Sequence, residues 1–145
     1  MERYLIKGVN DMQRFAADLA RRLKPQASGA TVLGLVGDLG SGKTTFTQGV
    51  AEALGVRGAV TSPTFVIEKV YDLEGGPWGQ LIHIDTYRLE RAQELLVLGW
   101  ERLIKPSENL VLVEWADRVG ELLPASARKL YFKFIDEETR EISLA

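Results

Sequence analysis

The sequence predicts an α/β fold with a mixed, mainly parallel central sheet and antiparallel hairpin additions, and three observations carry that prediction. Short apolar runs bounded by glycine alternate with segments of helical period in the first half of the chain. A glycine-rich loop joins one such run to a helix. Two pairs of β-rich segments are each separated by only a few turn residues. At 145 residues the chain has the size of one domain, so a single unit over residues 1–145 is expected, without a separate substrate domain.

Taken in order, Tyr4 to Lys7 reads as a short strand. Asn10 or Asp11 can cap a following helix on which Phe15, Leu19 and Leu23 recur at helical spacing. Pro25 and Ser28-Gly29 end it. Thr31 to Gly37 (TVLGLVG) is a strand buried on both faces, and Gly42 to Leu54 a helix closed by Gly55 and Gly58. Ser62-Pro63 marks a loop before a β-rich run, Thr64 to Val70, which a turn at residues 74–77 pairs with the strand Gln80 to Asp85. Residues 89–98 read as a helix. Asn109 to Glu114 is another buried strand, and Lys129 to Ile135 with Thr139 to Ser143 form a closing hairpin.

Gly37 to Thr44 (GDLGSGKT) matches GxxxxGK[ST] and stands where the motif's mechanism requires, between a buried strand and a helix. Glycines let successive backbone N–H groups turn inward, and the helix start adds its positive end, which makes an anion site for a nucleotide's phosphates. The expected phosphate-binding set is Asp38, Leu39, Gly40, Ser41, Gly42, Lys43, Thr44 and Thr45. Lys43 should bridge the β- and γ-phosphates, and Thr44 should give its hydroxyl to Mg²⁺, which takes few protein ligands beside phosphates. The fold class is then a P-loop NTPase-like three-layer sandwich.

Such a site also needs a carboxylate at the end of a neighbouring strand. LIHID ends at Asp85 and LVLVE at Glu114, and strands parallel to the loop's own would bring both acids to the sheet's carboxyl edge. Asp85 is assigned to hold Mg²⁺ directly or through water, and Glu114 to bind metal or activate water; either acid can take either part. Thr64, in the segment after the loop helix, is the candidate γ-phosphate sensor, against an ordinary turn before a strand. His83 shares Asp85's side of its strand, and a hydrogen-bonded core histidine is the stronger reading. Arg88 can reach phosphate or pair with an acid such as Glu90 or Glu114, and Trp115 can wall the site or fill core.

GDLGSGKTTF, SPTF, HIDTYRL and VEWADR, in this order and spacing, closely resemble the bacterial TsaE family of ATPases (older name YjeE), required for making threonylcarbamoyladenosine in tRNA. The resemblance runs from about Thr31 to Leu123. It implies a P-loop fold that binds ATP and Mg²⁺, with Lys43 and Thr44 in the loop, Asp85 as the Walker B acid and Glu114 as a further metal ligand. It implies TsaD and TsaB as protein partners, with tRNA reached only indirectly through their complex. It also implies an ATPase that is weak alone, whose hydrolysis resets the transferase between turnovers. Many relatives have proline after Glu-Trp where this chain has Ala116, and Arg140 resembles an arginine that lies near nucleotide in some members.

Composition excludes several other classes. The net charge of -2 gives no overall basic field for DNA or direct tRNA binding. Residues 1–60 carry eight Lys/Arg and five Asp/Glu, the remainder ten and fifteen, with no like-charge block. The absence of cysteine removes disulfides, thiolate catalysis and Cys-ligated zinc. The longest uncharged stretch, Pro25 to Gly37, is too short to span a membrane, so a cytoplasmic protein is expected. Competing readings are a small-molecule P-loop kinase, a GTPase and a binding module that never hydrolyses. The kinase lacks an arginine-rich lid insertion, and the GTPase lacks both an NKxD motif and the glycine of DxxG after Asp85.

Overall fold

The computed structural model describes residues 2–56 and 68–145. Seven strands among them form one sheet: β1 (Glu2–Lys7), β2 (Thr31–Val36), β3 (Glu68–Asp72), β4 (Gln80–Asp85), β5 (Asn109–Glu114), β6 (Arg128–Phe134) and β7 (Thr139–Leu144), in the order β1-β7-β6-β2-β5-β4-β3. The four central strands β6, β2, β5 and β4 are mutually parallel. The outer pairings are antiparallel, β3 on β4 at one edge and the β6–β7–β1 meander at the other.

β2, β5 and β4 are apolar on both faces, as parallel strands covered on both sides must be, whereas β6 alternates and buries Leu130 and Phe132 on one face. On one face Leu33, Leu35, Leu81, Leu110, Leu112, Leu130 and Phe132 pack beneath α1 (Gly8–Arg22) and α2 (Lys43–Ala53). On the other, Val32, Ile82, Ile84, Val111 and Val113 pack against α3 (Gln93–Val97), α4 (Trp100–Leu103) and a 3-10 segment, Ala116–Leu122. Three layers result, and each fully buried leucine or valine contributes about 1.5–3 kcal/mol of transfer free energy.

Two expectations need correction. The first helix starts at Gly8, so neither Asn10 nor Asp11 is its cap. Gly8, at φ 77°, turns β1 straight into the helix, and Asp11 accepts from the backbone N–H of Lys7 instead. The segment 89–98 is not one helix. The Glu94 carboxylate accepts from the N–H groups of Glu90 and Arg91 at 2.6 and 2.9 Å, which fixes a turn before α3, and Gly99, at φ 89°, separates α3 from α4. Of the β-rich run Thr64 to Val70, residues 68–70 lie in β3, which continues to Asp72, and residues 64–67 lie outside the described residues. Among the described residues no helix is long and apolar enough to cross a membrane.

Candidate functional site

The parallel strands all end on one edge of the sheet, and the chain returns to that edge repeatedly. From β2 it continues through the glycine loop into α2. β5 and β4 end there in Glu114 and Asp85, which are register partners, and Leu35 of β2 pairs with Glu114 on its other side. The β6–β7 turn and the β1–α1 corner reach the same edge, because Lys7 pairs with Thr139. Ligands of open α/β sheets bind outside this edge.

The loop is held tightly against β6. A Cβ on Gly37 would lie 2.6 Å from the Phe132 carbonyl oxygen and 2.8 Å from Ser41 Oγ, so no larger residue fits without moving backbone. Gly42, at φ 103°, turns the loop into the first residue of α2, Lys43. The first N–H groups of α2 have no partner within the helix, which leaves its start polarised toward an anion.

A cavity of about 360 Å³ opens over this helix start. The residues Leu39, Gly40, Ser41, Gly42, Lys43, Thr44 and Thr45 line one side, with Glu114, Trp115 and Arg140 around them. The structure therefore gathers ten residues singled out in the sequence. Asp38 and Asp85 stand outside the lining. Asp38 is exposed and contributes only its backbone carbonyl oxygen, which accepts from Lys43, while Asp85, beside Glu114 and 9% exposed, accepts from the Tyr87 N–H at 2.9 Å. Thr64 lies outside the described residues. Arg88 is on the exposed turn beyond Asp85.

Lys43 is only 5% exposed. Its ammonium donates to the Gly37 and Asp38 carbonyl oxygens, the latter at 3.0 Å, and lies 4.2 Å from the centre of the Trp115 ring. Burial lowers its pKa below the usual lysine value, opposed by the charges of Glu114, Asp38, Asp85 and Asp117. Arg140 donates to the Gly40 carbonyl oxygen at 2.9 Å and stacks 4.5 Å from the Phe134 ring, which ties the closing hairpin to the glycine loop.

Several residues of the site were not singled out by sequence, or were not given a role. Gly8, Val9, Met12, Glu137 and Glu138 also line the cavity, with the Gly8 N–H donating to the Glu138 carbonyl oxygen at 2.8 Å. The pairing that brings them there, β1 on β7, leaves no local trace in the sequence. Trp115 is wall rather than core. It is the one non-glycine residue with positive φ among those described, at 58°, and Thr86 Oγ1 donates to its carbonyl oxygen at 2.8 Å and to that of Glu114 at 2.9 Å. Its ring packs 5.0 Å from Tyr87, with the Arg118 guanidinium 5.8 Å away. His83, fully buried, bonds Glu114 through Nε2···Oε2 at 2.5 Å. Its phase with Asp85 was the available signal.

A buried parallel strand feeding a glycine loop and a helix start, with acids on the flanking strands, defines a protein of the P-loop-like α/β class. The family model "Threonylcarbamoyl adenosine biosynthesis protein TsaE" matches residues 6–142, and the chain belongs to the TsaE family. It is 44% identical over 108 residues to the tRNA threonylcarbamoyladenosine biosynthesis protein TsaE of Streptomyces coelicolor, covering 72% of this chain and 70% of that one. With the Bacillus subtilis protein of the same name it shares 43% over 112 residues, 77% of this chain and 67% of the relative. The Haemophilus influenzae protein is 32% identical over 134 residues, 92% and 82% of the two chains. A crystal structure of Bacillus subtilis YdiB superposes with a TM-score of 0.72 at 31% identity, covering 99% of this chain and 83% of that one.

Proposed function

We propose that this protein is a Mg²⁺-dependent ATPase subunit of tRNA threonylcarbamoyladenosine synthesis, working in the cytoplasm on a complex of TsaB and TsaD, and reaching tRNA only through that complex. The observation that carries the reading is the convergence of the loop, the α2 start, Lys43 and Glu114 on one cavity.

The residues present fit a nucleotide. The N–H groups at the start of α2 receive the β-phosphate, and the buried Ser41 hydroxyl, whose Oγ has no hydrogen-bond partner among the described residues, lies in the same loop. Lys43 exchanges the Gly37 and Asp38 carbonyl oxygens for phosphate oxygens, a stronger, charge-assisted pairing. The base lies against the apolar side chains of Val9 and Met12, and Arg140, from β7, donates to the loop's Gly40 carbonyl oxygen. Thr64 is the remaining candidate contact to the γ-phosphate.

The residues also fit magnesium. No cluster of three or more His, Asp or Glu side chains is assembled among the described residues, which suits an ion held mainly by phosphates and water with one or two protein oxygens. Thr44 and one of the two carboxylates, Asp85 or Glu114, would hold the ion directly, with the other reaching it through water, and the bound ion would neutralise charge on the transferring phosphoryl group. Glu114, buried at the cavity wall, accepts the proton of the attacking water or orients it.

Calorimetric titration tests the binding half. MgATP and MgADP should bind with one-to-one stoichiometry, and GTP should fail to compete. Tighter binding of GTP than ATP, or no nucleotide binding, would overturn the reading.

A further inference from the structure

We infer that His83 is the positioning residue of the hydrolytic site, holding the Glu114 carboxylate by one oxygen so that the other serves the cavity. The inference rests on the ATPase reading above and adds to it a residue that the nucleotide site itself does not touch.

His83 sits on β4, two residues before Asp85, on the sheet face that carries α2. It is 0% exposed and Glu114 is 3% exposed, yet Glu114 also lines the cavity. The Nε2···Oε2 distance of 2.5 Å puts the two side chains in direct hydrogen-bond contact. The backbone behind Glu114 is fixed as well, since its carbonyl oxygen accepts from both the N–H and the hydroxyl of Thr86 at 3.2 and 2.9 Å. Glu114 is thus anchored at main chain and at Oε2.

The other ring nitrogen identifies the tautomer. Nδ1 is buried and has no hydrogen-bond partner among the described residues. An imidazolium would leave a charged N–H unpaired in the core, and an Nδ1–H tautomer would leave a neutral donor unpaired while setting the Nε2 lone pair against a carboxylate oxygen. The neutral Nε2–H tautomer leaves only one acceptor unsatisfied. It donates to Glu114 without adding charge beside Lys43. The arrangement follows the general logic by which an outer residue orients an acid that does the chemistry.

This is the chain's only histidine, so its imidazole can be read without assignment. A long-range ¹H–¹⁵N spectrum of the ¹⁵N-histidine-labelled protein should show the Nε2–H tautomer, and Glu114→Gln should shift its Nε2 resonance. An Nδ1–H tautomer, or resonances indifferent to Glu114→Gln, would overturn the pairing. The kinetic arm uses ATP turnover with TsaB and TsaD. His83→Leu should lower kcat by about 10- to 100-fold while the MgADP Kd stays within about twofold, and His83→Gln, whose amide N–H can replace Nε2–H, should recover most of the loss. Turnover like the wild type in His83→Leu, equal losses in kcat and affinity, or a glutamine variant no better than leucine would each overturn positioning. A wild-type protein that never hydrolyses ATP refutes the hydrolytic reading, and the spectrum then separately decides whether His83 grips Glu114.

Discussion

In the proposed function Lys43 meets phosphate, and replacing it by alanine separates that part from what the side chain does to the fold. In the structure its ammonium is bonded to two loop carbonyl oxygens and covered by Trp115. On the proposed reading those neutral acceptors give way to phosphate when nucleotide binds, and a hydrogen bond between charged groups contributes about 1.5–3 kcal/mol. Its loss should weaken MgADP binding by about 10- to 150-fold. At a ligand concentration near 100 times the wild-type Kd, the wild type gains about 2.7 kcal/mol, whereas the variant keeps between about 1.3 and about 0.3 kcal/mol. For a chain of this size that turns a rise in melting temperature of about 5–11 °C into one of about 1–5 °C. Thermal melts with and without MgADP measure it. An unchanged ligand-induced shift in Lys43→Ala would refute the placement of phosphate at this ammonium.

The same residue gives a pH dependence of defined sign. Burial lowers the folded pKa of Lys43, so the folded protein releases this proton at lower pH than the unfolded chain does. The unfolded state then binds more protons in the window between the lowered value and the usual 10.5, and stability contributed by this group rises with pH through that window. Ligand-free melts across it should show the increment in the wild type and not in Lys43→Ala; an identical slope in both would contradict it.

Three further outcomes are expected. Gly37→Ala places a methyl 2.6 Å from the Phe132 carbonyl oxygen. The clash costs about 1–3 kcal/mol, offset by about 0.4–1 kcal/mol of lost unfolded-chain freedom, so denaturant unfolding should show a net loss, and a gain would mean the loop is not held against β6. Phe46→Ala empties a fully buried site on α2, edge-on to Phe132 at 5.4 Å, and should cost about 3–5 kcal/mol in the same assay; less than about 1 kcal/mol would mean α2 is not seated by that ring. In the β6–β7 turn, the N–H of Glu138 and the Thr139 hydroxyl hold the Asp136 carboxyl below its usual 3.8. Its contribution to stability is present above 3.8 and lost as pH falls through the lowered value, so a carboxyl NMR titration with a midpoint at or above 3.8 would contradict the turn geometry.

The parts of the molecule legible in sequence are those whose physics is local. β4 and β5 have the bounds read from them because each is an apolar run closed by an acid, QLIHID and NLVLVE. The glycine loop announces itself because its glycines answer directly to backbone geometry, with Gly37 packed against β6 and Gly42 at φ 103°. The helix read over 89–98 failed because LERAQELLVL has a helical period, while the Glu94 side chain and Gly99 impose a turn and a break. The β1–β7 pairing, which carries Gly8, Val9 and Met12 to the cavity, joins opposite ends of the chain and could not be read from either end alone. His83 was placed on the correct side of its strand, but its bond to Glu114 spans 31 residues and depends on the β4–β5 register.

The most direct test of the central claim is ATP hydrolysis with Mg²⁺, measured on the protein alone, with TsaB and TsaD added, and with Glu114→Gln in place of the wild type. We expect slow turnover alone, stimulation by the two partners, and loss of that stimulated rate in Glu114→Gln while MgADP still binds. A wild-type protein that binds ATP beside an intact TsaB–TsaD complex without hydrolysing it, or a Glu114→Gln variant that turns over like the wild type, would contradict the account of this site.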